Sequence, residues 1–290
     1  MKTRIISGLV GTVILFAVLL CPVSWVFTVV VAAAAAIAVW ELLHNTGIVK
    51  SNVMTVGSMV FAAATAIACG IDARNLGVPV ATTPDYPLFE VLPLELLLLV
   101  LAAYLLFVLV LAVAFRKAYA WKGLGLTLYA TLGFSALVAL RATSDYGIYY
   151  VLLPMVISWM SDAGAYFVGT FLGKHKMAPV ISPKKSWEGF FGGWLISVGA
   201  TALYAYVCNV AFLDGTYASF NVAAVAVLAA VLAPLSVCGD LLASVIKRKS
   251  GIKDYGNLMP GHGGVMDRFD SVVFISLPVY IVLAFFGYLA

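Results

Sequence analysis

Charge is what this sequence has least of. Asp, Glu, Lys and Arg make up 10% of its 290 residues, against 63% hydrophobic ones, where a soluble domain carries roughly 25% charged residues. With a mean hydropathy of +1.07, that scarcity excludes a water-soluble globular fold. There are only three histidines, and the four cysteines (Cys21, Cys69, Cys208 and Cys238) stand singly, without C-x-x-C spacing. Neither a zinc site nor a disulfide framework is expected from them; they read as small buried hydrophobes. The strand alternation of a membrane barrel is missing, and so is any internal repeat. No small-x-small cleavage site follows the first apolar run, and Cys21 follows Leu20 rather than a small residue. The start "MKTRIISGLVGTVILFAVLLCPVSW" is therefore expected to form a retained first helix rather than a signal peptide.

What is present is a series of apolar runs of about 20 residues, the length that crosses a bilayer. Nine recur, at about 5–20, 23–43, 53–71, 91–115, 124–140, 147–172, 189–213, 221–246 and 267–289. A lone segment in lipid must satisfy its own backbone hydrogen bonds, so each run predicts a helix. The expected fold is all-α, a polytopic membrane protein with about nine transmembrane helices. The alanine run Ala32–Ala36 predicts close helix packing through small side chains. Charge placement supports the count. With nine helices, the N-terminus and the connections after helices two, four, six and eight share one side, and that side holds 15 of the 17 basic residues. The other side receives only Arg74 and Arg141. The positive-inside rule then puts the N-terminus and the basic loops in the cytoplasm. Residues 1–145 are expected to form an N-terminal helical scaffold with dimer contacts, and 146–290 a catalytic region with cytoplasmic loops at 173–188 and 247–266.

The charge is gathered. "IKRKSGIKDYGNLMPGHGGVMDRFD", from Ile246 to Asp270, holds eight of the thirty charged residues (17 basic plus 13 acidic) and one of the three histidines. A charge at the bilayer centre costs about 2.5–3.5 kcal/mol, so most of this stretch must be a connection outside the lipid. Asp240 lies within the preceding apolar run, and an intramembrane carboxylate is a functional candidate by default. Asp240, Ser244 and Lys247 are spaced to share one helix face, with Asp240 roughly 10 Å below the basic cluster. Lys247, Arg248 and Lys249 suit a helix C-terminus, and Gly251 can end that helix. In "PGHGG", proline and three glycines permit a sharp turn and close approach to a ligand. Asp267 and Asp270 then share a face at the start of helix nine, with Arg268 pointing elsewhere. Carboxylates at a helix N-terminus need no special role. Three carboxylates at membrane depth beside cationic loops fit Mg²⁺ better, which takes one or two protein carboxylates together with substrate phosphates and water.

A second cluster, "GKHKMAPVISPKKSWEGFFGG", precedes helix seven. Ser182 is expected to cap a helix with Pro183 at its first position and Lys184 and Lys185 in its first turn, an anion site suited to phosphate. Asp162 is another carboxylate inside an apolar run. His175 reads as an exposed loop residue, and His44 has no evident partner.

"SVIKRKSGIKDYGNLMPGHGGVMDRFDS" (Ser244–Ser271) closely resembles the signature of phosphatidate cytidylyltransferases, the CDP-diacylglycerol synthases: Ser, Lys-Arg, Lys-Asp, His-Gly-Gly and Asp-Arg-x-Asp at fixed spacings. "SDAGAYFVGTFLGKHKMAPVISPKKSWEG" is similar to a second stretch of that family. Together the two cover about a fifth of the chain, all in its second half. The resemblance implies a Mg²⁺-dependent reaction, with one ion or a pair, in which CTP and phosphatidate give CDP-diacylglycerol and pyrophosphate. It implies a homodimer in the bacterial cytoplasmic (inner) membrane, surrounded by membrane lipid, with no nucleic-acid partner. The family's metal-binding aspartates carry over to Asp240, Asp267 and Asp270. Its phosphate-binding basic residues carry over to Lys184, Lys185, Lys247, Arg248, Lys253 and Arg268, with Lys247 and Arg268 grouped with the aspartates as catalytic. Asp162, Ser186, Ser244, Asp254, His262, Gly263 and Gly264 are expected among the substrate contacts. Two positions depart from the family: Ala243, where Glu is frequent, and Ala163, where Thr is.

The implied chemistry matches the residue inventory. A phosphatidate phosphate is largely ionised near pH 7 and needs no strong general base, so positioning and electrostatic stabilisation dominate and no catalytic triad is required. A metal pair would stabilise both attacking and leaving oxygens. Two alternatives differ in kind: a CTP-dependent lipid kinase, which releases CDP rather than pyrophosphate, and a secondary transporter of an anionic solute. Transporters place charge at the midplane between repeats, whereas here it gathers at one face and no repeat is seen.

Overall fold

The computed structural model describes residues 2–21, 24–71, 94–113, 119–142, 146–213, 219–261 and 263–285. Each of the nine apolar runs overlaps one α-helix among these residues: α1 (Lys2–Leu19), α2 (Ser24–Trp40), α3 (Asn52–Gly70), α4 (Leu94–Val113), α5 (Tyr119–Ala142), α6 (Gly147–Leu172), α7 (Trp187–Ala211), α8 (Val222–Lys249) and α9 (Met266–Phe285). Among the described residues six segments are long and apolar enough to cross a membrane, corresponding to α2, α3, α5, α6, α7 and α8. The chain is an all-helical integral membrane protein, with one small hairpin added.

That hairpin corrects an expectation. Ser182 and Pro183 do not open a helix. Ser182–Ser186 is a strand, β2, paired antiparallel with β1 (Lys176–Ala178) in the register Lys176 to Ser186 and Ala178 to Ser182. Lys184 and Lys185 therefore lie on a strand and not in a first helical turn. The cap is Ser186, whose hydroxyl accepts from Gly189 N at 3.2 Å. Pairing with β1 supplies the backbone partners that a helix would have supplied, and Pro183 is tolerated because a two-stranded ribbon consists of edges. His175 is exposed, as expected, but it is not alone: its Nδ1 lies 2.6 Å from Glu188 Oε1, fastening the hairpin to the first turn of α7.

The chain forms two compact units, one of residues 1–148 with 246–269, the other of 149–245 with 270–290. In the first, α2, α3 and α5 pack on one another, with α4 against α3 and α5 and α1 against α2. Small side chains permit this: Ala35, Ala38, Ala62, Ala66 and Ala130 are fully buried, as expected where helices in lipid associate by close packing. Within the alanine run, Ala32 and Ala35 are buried while Ala33 is exposed, so only one face is used. Tyr104 of α4 reaches Ser58 of α3, with 2.9 Å between the hydroxyls, and stacks on Phe61. The helix of α2 continues into a π-helical turn, Glu41–Asn45, where His44 stacks on Trp40 with 5.3 Å between ring centroids.

In the second unit, Gly193 lets α7 approach α6 so closely that a Cβ there would strike the Ser161 carbonyl. Ser197 donates to Ile157 O and Tyr204 to Tyr149 O, each at 2.8 Å. Pro234 interrupts the hydrogen-bond ladder of α8 and so leaves the carbonyl four residues earlier without its helical partner. That carbonyl, Ala230 O, accepts from the indole of Trp194 on α7 at 2.8 Å. Large apolar residues are exposed in helical stripes, such as Val53, Val56 and Val60 on α3 or Leu203, Val207 and Val210 on α7. These stripes are surfaces for lipid rather than water. Of the four cysteines, all free, Cys69 and Cys208 are buried as expected, while Cys238 is exposed and Cys21 half-exposed.

Candidate functional site

The expected site residues fall into two clusters, one in each unit. In the second unit, α6, β2, α8 and α9 supply Asp162, Lys185, Asp240, Asp270 and Ser271. Gly239 makes this possible: a Cβ there would meet Phe274 and the Asp270 carbonyl, so α8 beside Asp240 lies directly on α9 beside Asp270. Lys185 Nζ lies 2.6 Å from Asp240 Oδ2. The contact is an ion pair without hydrogen-bond geometry, and the buried ammonium makes no hydrogen bond within the protein. Ser244, one helical turn from Asp240, donates to Asp240 Oδ1 at 3.4 Å. Asp162 accepts from Ser271 Oγ at 3.4 Å and feels the charges of both Asp240 and Lys185. Asp270 is buried, and its Oδ1 accepts from Ser271 N at 2.8 Å.

In the first unit, the last turn of α8 meets the first turn of α9. The helix α8 closes in a Schellman arrangement, with Ile252 N donating to Lys247 O, Gly251 N to Arg248 O, and Gly251 at a φ of +71°, as its glycine allows. The signature turn follows. Met259 and Gly263 exchange both backbone hydrogen bonds, at 2.9 and 3.1 Å, around a Gly263 φ of +89°. Asp267 is the hub. Its Oδ1 pairs with Lys247 Nζ at 2.9 Å, and its Oδ2 accepts from Tyr255 N at 2.7 Å and Gly264 N at 2.9 Å. Lys247 also lies over the Tyr255 ring, 5.1 Å from its centroid. Arg248, Lys253, Asp254 and Arg268 are exposed, as is Lys184 in the second unit. Ser186 is committed to capping α7, and His262 lies outside the described residues. A cleft of about 650 Å³ in the first unit, lined in part by Lys122, Leu126, Ile246 and Lys249, holds none of the expected site residues.

Sequence reasoning missed Glu41, Asn45 and Tyr255. Glu41 is buried and accepts from Val265 N at 3.0 Å and Met266 N at 2.8 Å. Asn45 Nδ2 donates to Tyr255 O at 2.6 Å. A signal was there for Glu41, which stands inside an apolar run in "AVWELLHN", as Asp162 and Asp240 do in theirs.

Among the described residues no three His, Cys, Asp or Glu side chains form a ready cage for a metal. The donor set nevertheless suits a hard divalent ion. Asp162 and Asp240 offer oxygen ligands, with Lys185 paired to Asp240, and a nucleotide-bound Mg²⁺ takes few protein carboxylates because phosphates and water complete its shell. Asp267 differs, since both of its oxygens already have partners in the protein.

An all-helical chain with charged side chains clustered at helix ends and a glycine turn at the start of α9 has the build of a membrane enzyme. The chain belongs to the cytidylyltransferase family, which it matches over residues 2–286, and it is a nucleotidyltransferase. It is 29% identical over 292 residues to a phosphatidate cytidylyltransferase of Bacillus subtilis, covering 99% of both chains. Over 155 residues it is 41% identical to one of Staphylococcus epidermidis, 53% of this chain and 55% of that one. Over 142 residues it is 39% identical to one of Haemophilus influenzae, 49% of this chain and 47% of that one. Members of this family generally use a divalent metal.

Proposed function

We propose that the chain transfers the cytidylyl group of CTP to phosphatidate, giving CDP-diacylglycerol and pyrophosphate. The observation that supports this most is Lys185, a buried ammonium with unused donors beside Asp240 and Asp162. A buried ammonium has three donors, of which the Asp240 carboxylate can take only part, and a substrate phosphate is a group that would take the others. A phosphatidate oxygen attacks the α-phosphorus of CTP, and the bond from that phosphorus to the oxygen bridging to the β-phosphorus breaks. Lys184 and Lys185 on β2 receive phosphate oxygens, as do Lys247, Arg248, Lys253 and Arg268. Ser244 orients Asp240, and Gly263 and Gly264 let the substrate approach closely, with His262 named among its contacts by the family resemblance. No general base is assigned, because the nucleophile arrives ionised.

Asp240 and Asp270 would hold Mg²⁺, with Asp162 beside them, and the family resemblance names Asp267 as a further ligand. The metal, when bound, neutralises the polyphosphate and so lowers the repulsion between nucleophile and leaving group. The basic-residue asymmetry supports an N-terminus and basic loops facing the cytoplasm. The relatives' bacterial origin supports the bacterial inner membrane, and the family resemblance supports a homodimer.

The test is purified protein in detergent with phosphatidate, Mg²⁺ and each nucleoside triphosphate in turn, following pyrophosphate and lipid product. CTP alone should give stoichiometric pyrophosphate and CDP-diacylglycerol. Release of CDP would assign a lipid kinase instead, and no turnover with any triphosphate would overturn the reading.

A further inference from the structure

We propose that Glu41, in the helical region otherwise read as scaffold, is a positioning residue for the signature turn and for the aspartate-bearing start of α9. The inference rests on the cytidylyl-transfer reading for its effect on rate, but not for its geometry. The first N–H groups of any helix lack intrahelical acceptors. At α9 Glu41 supplies two of them, taking Val265 N and Met266 N, while Asp267 takes Gly264 N in the turn before the helix and reaches back to Tyr255 N. Glu41 therefore fixes the backbone from which Asp267 projects, and Asp267 holds Lys247. The fit leaves no slack, because a Cβ on Gly264 or on Gly256 would collide with the Glu41 carboxylate.

The second grip comes from the same π-helical turn. Asn45 donates to the carbonyl of Tyr255 while the amide of Tyr255 is held by Asp267, so that residue is pinned from both sides of its backbone. Glu41 is 1% exposed, and the groups it accepts from are two backbone amides. Burying a carboxylate is expensive unless it is fully hydrogen-bonded. Its partners lie 224 and 225 residues away in sequence, which makes it a long-range clamp and not a local cap. A carboxylate at a helix N-terminus is also favoured by the helix dipole.

The test compares full-length wild type with Glu41→Gln and Glu41→Ala in detergent, by hydrogen–deuterium exchange and by steady-state kinetics. Glutamine keeps the size but offers one acceptor oxygen where two amides need one each. Exchange over 255–268 should be about tenfold faster in Glu41→Gln, with α7 unchanged. Its kcat should fall at least about tenfold, as small misplacements of reacting groups do, while KM for CTP stays near the wild-type value. A residue with a merely structural role would lower thermal stability and leave kcat per folded molecule intact. Wild-type exchange and wild-type kcat in Glu41→Gln overturn the proposal, as does rapid exchange of Val265 and Met266 in the wild type itself. If the wild type transfers no cytidylyl group, the function reading fails, and the exchange comparison still decides the clamp. Should neither Glu41 variant be recovered folded, Asn45→Ala carries the test: unchanged exchange at 253–258 with unchanged kcat overturns it.

Discussion

Asp240 and Asp267 are both aspartates on helices beside a lysine, yet they are held differently, and the same substitution should injure them differently. Asp240 has one close cation and one weak hydroxyl contact, so its oxygens keep capacity for a metal. Asp240→Asn should lower kcat at least about 100-fold, the scale for removing one electrostatic stabiliser of a transition state, and raising Mg²⁺ should return part of it. Asp267 already holds Lys247 and two backbone amides. In Asp267→Asn an NH₂ group must face either that ammonium or those amides. Turnover should fall on a similar scale and stay low at every Mg²⁺ concentration. A Mg²⁺ titration of kcat for both variants checks the contrast. Rescue of Asp267→Asn would make Asp267 a metal ligand first and a turn-holder second.

Between β2 and α7, neighbouring residues of one motif divide the work. Lys185 offers donors and Ser186 ends the strand and caps the helix. Ser186→Ala should therefore cost about 1 kcal/mol of stability, the usual worth of such a cap, seen as a lower thermal midpoint in detergent. Its KM for CTP should stay within about twofold of wild type, since one hydrogen bond to bound substrate is worth more than that. A large rise in KM without loss of stability would return Ser186 to the substrate contacts named by the family resemblance. The sequence "SPKKS" invited the helical reading because Ser-Pro is a common helix opening. What decides against it is β1, three residues whose pairing cannot be read from "SPKKS" alone.

Across the molecule, the helices were legible because lipid leaves a spanning segment few other choices. The candidate site was legible where charge interrupts an apolar run, as at Asp162, Asp240 and the stretch from Lys247 to Asp270. Glu41 escaped notice because it lies near the end of its run and its partners are distant in the chain. The contact between Gly239 and α9 was equally hidden, since a glycine in an apolar helix gives no sign of what it faces. The 15-to-2 distribution of basic residues predicts the sidedness that labelling can test. In a background lacking the four native cysteines, Lys176→Cys should react with an impermeant maleimide only from the cytoplasmic side, and Asn221→Cys only from the opposite side. Labelling of both from one side would mean that the span count between them is wrong.

Trp194 and Pro234 are joined by a debt: the proline frees the Ala230 carbonyl and the indole takes it. Trp194→Phe alone should strand a carbonyl in an apolar setting, at about 1–3 kcal/mol. In a Pro234→Ala background the restored amide of residue 234 can serve that carbonyl, and the same substitution should then cost much less. A double-mutant cycle on unfolding in detergent reads this coupling, and additive costs would refute it. If the coupling holds, the two positions are not free to drift separately. A lineage that loses the proline relaxes the demand for tryptophan, whereas one that loses the tryptophan first must pass through a weakened protein. The order in which these substitutions can accumulate is thereby set by one hydrogen bond.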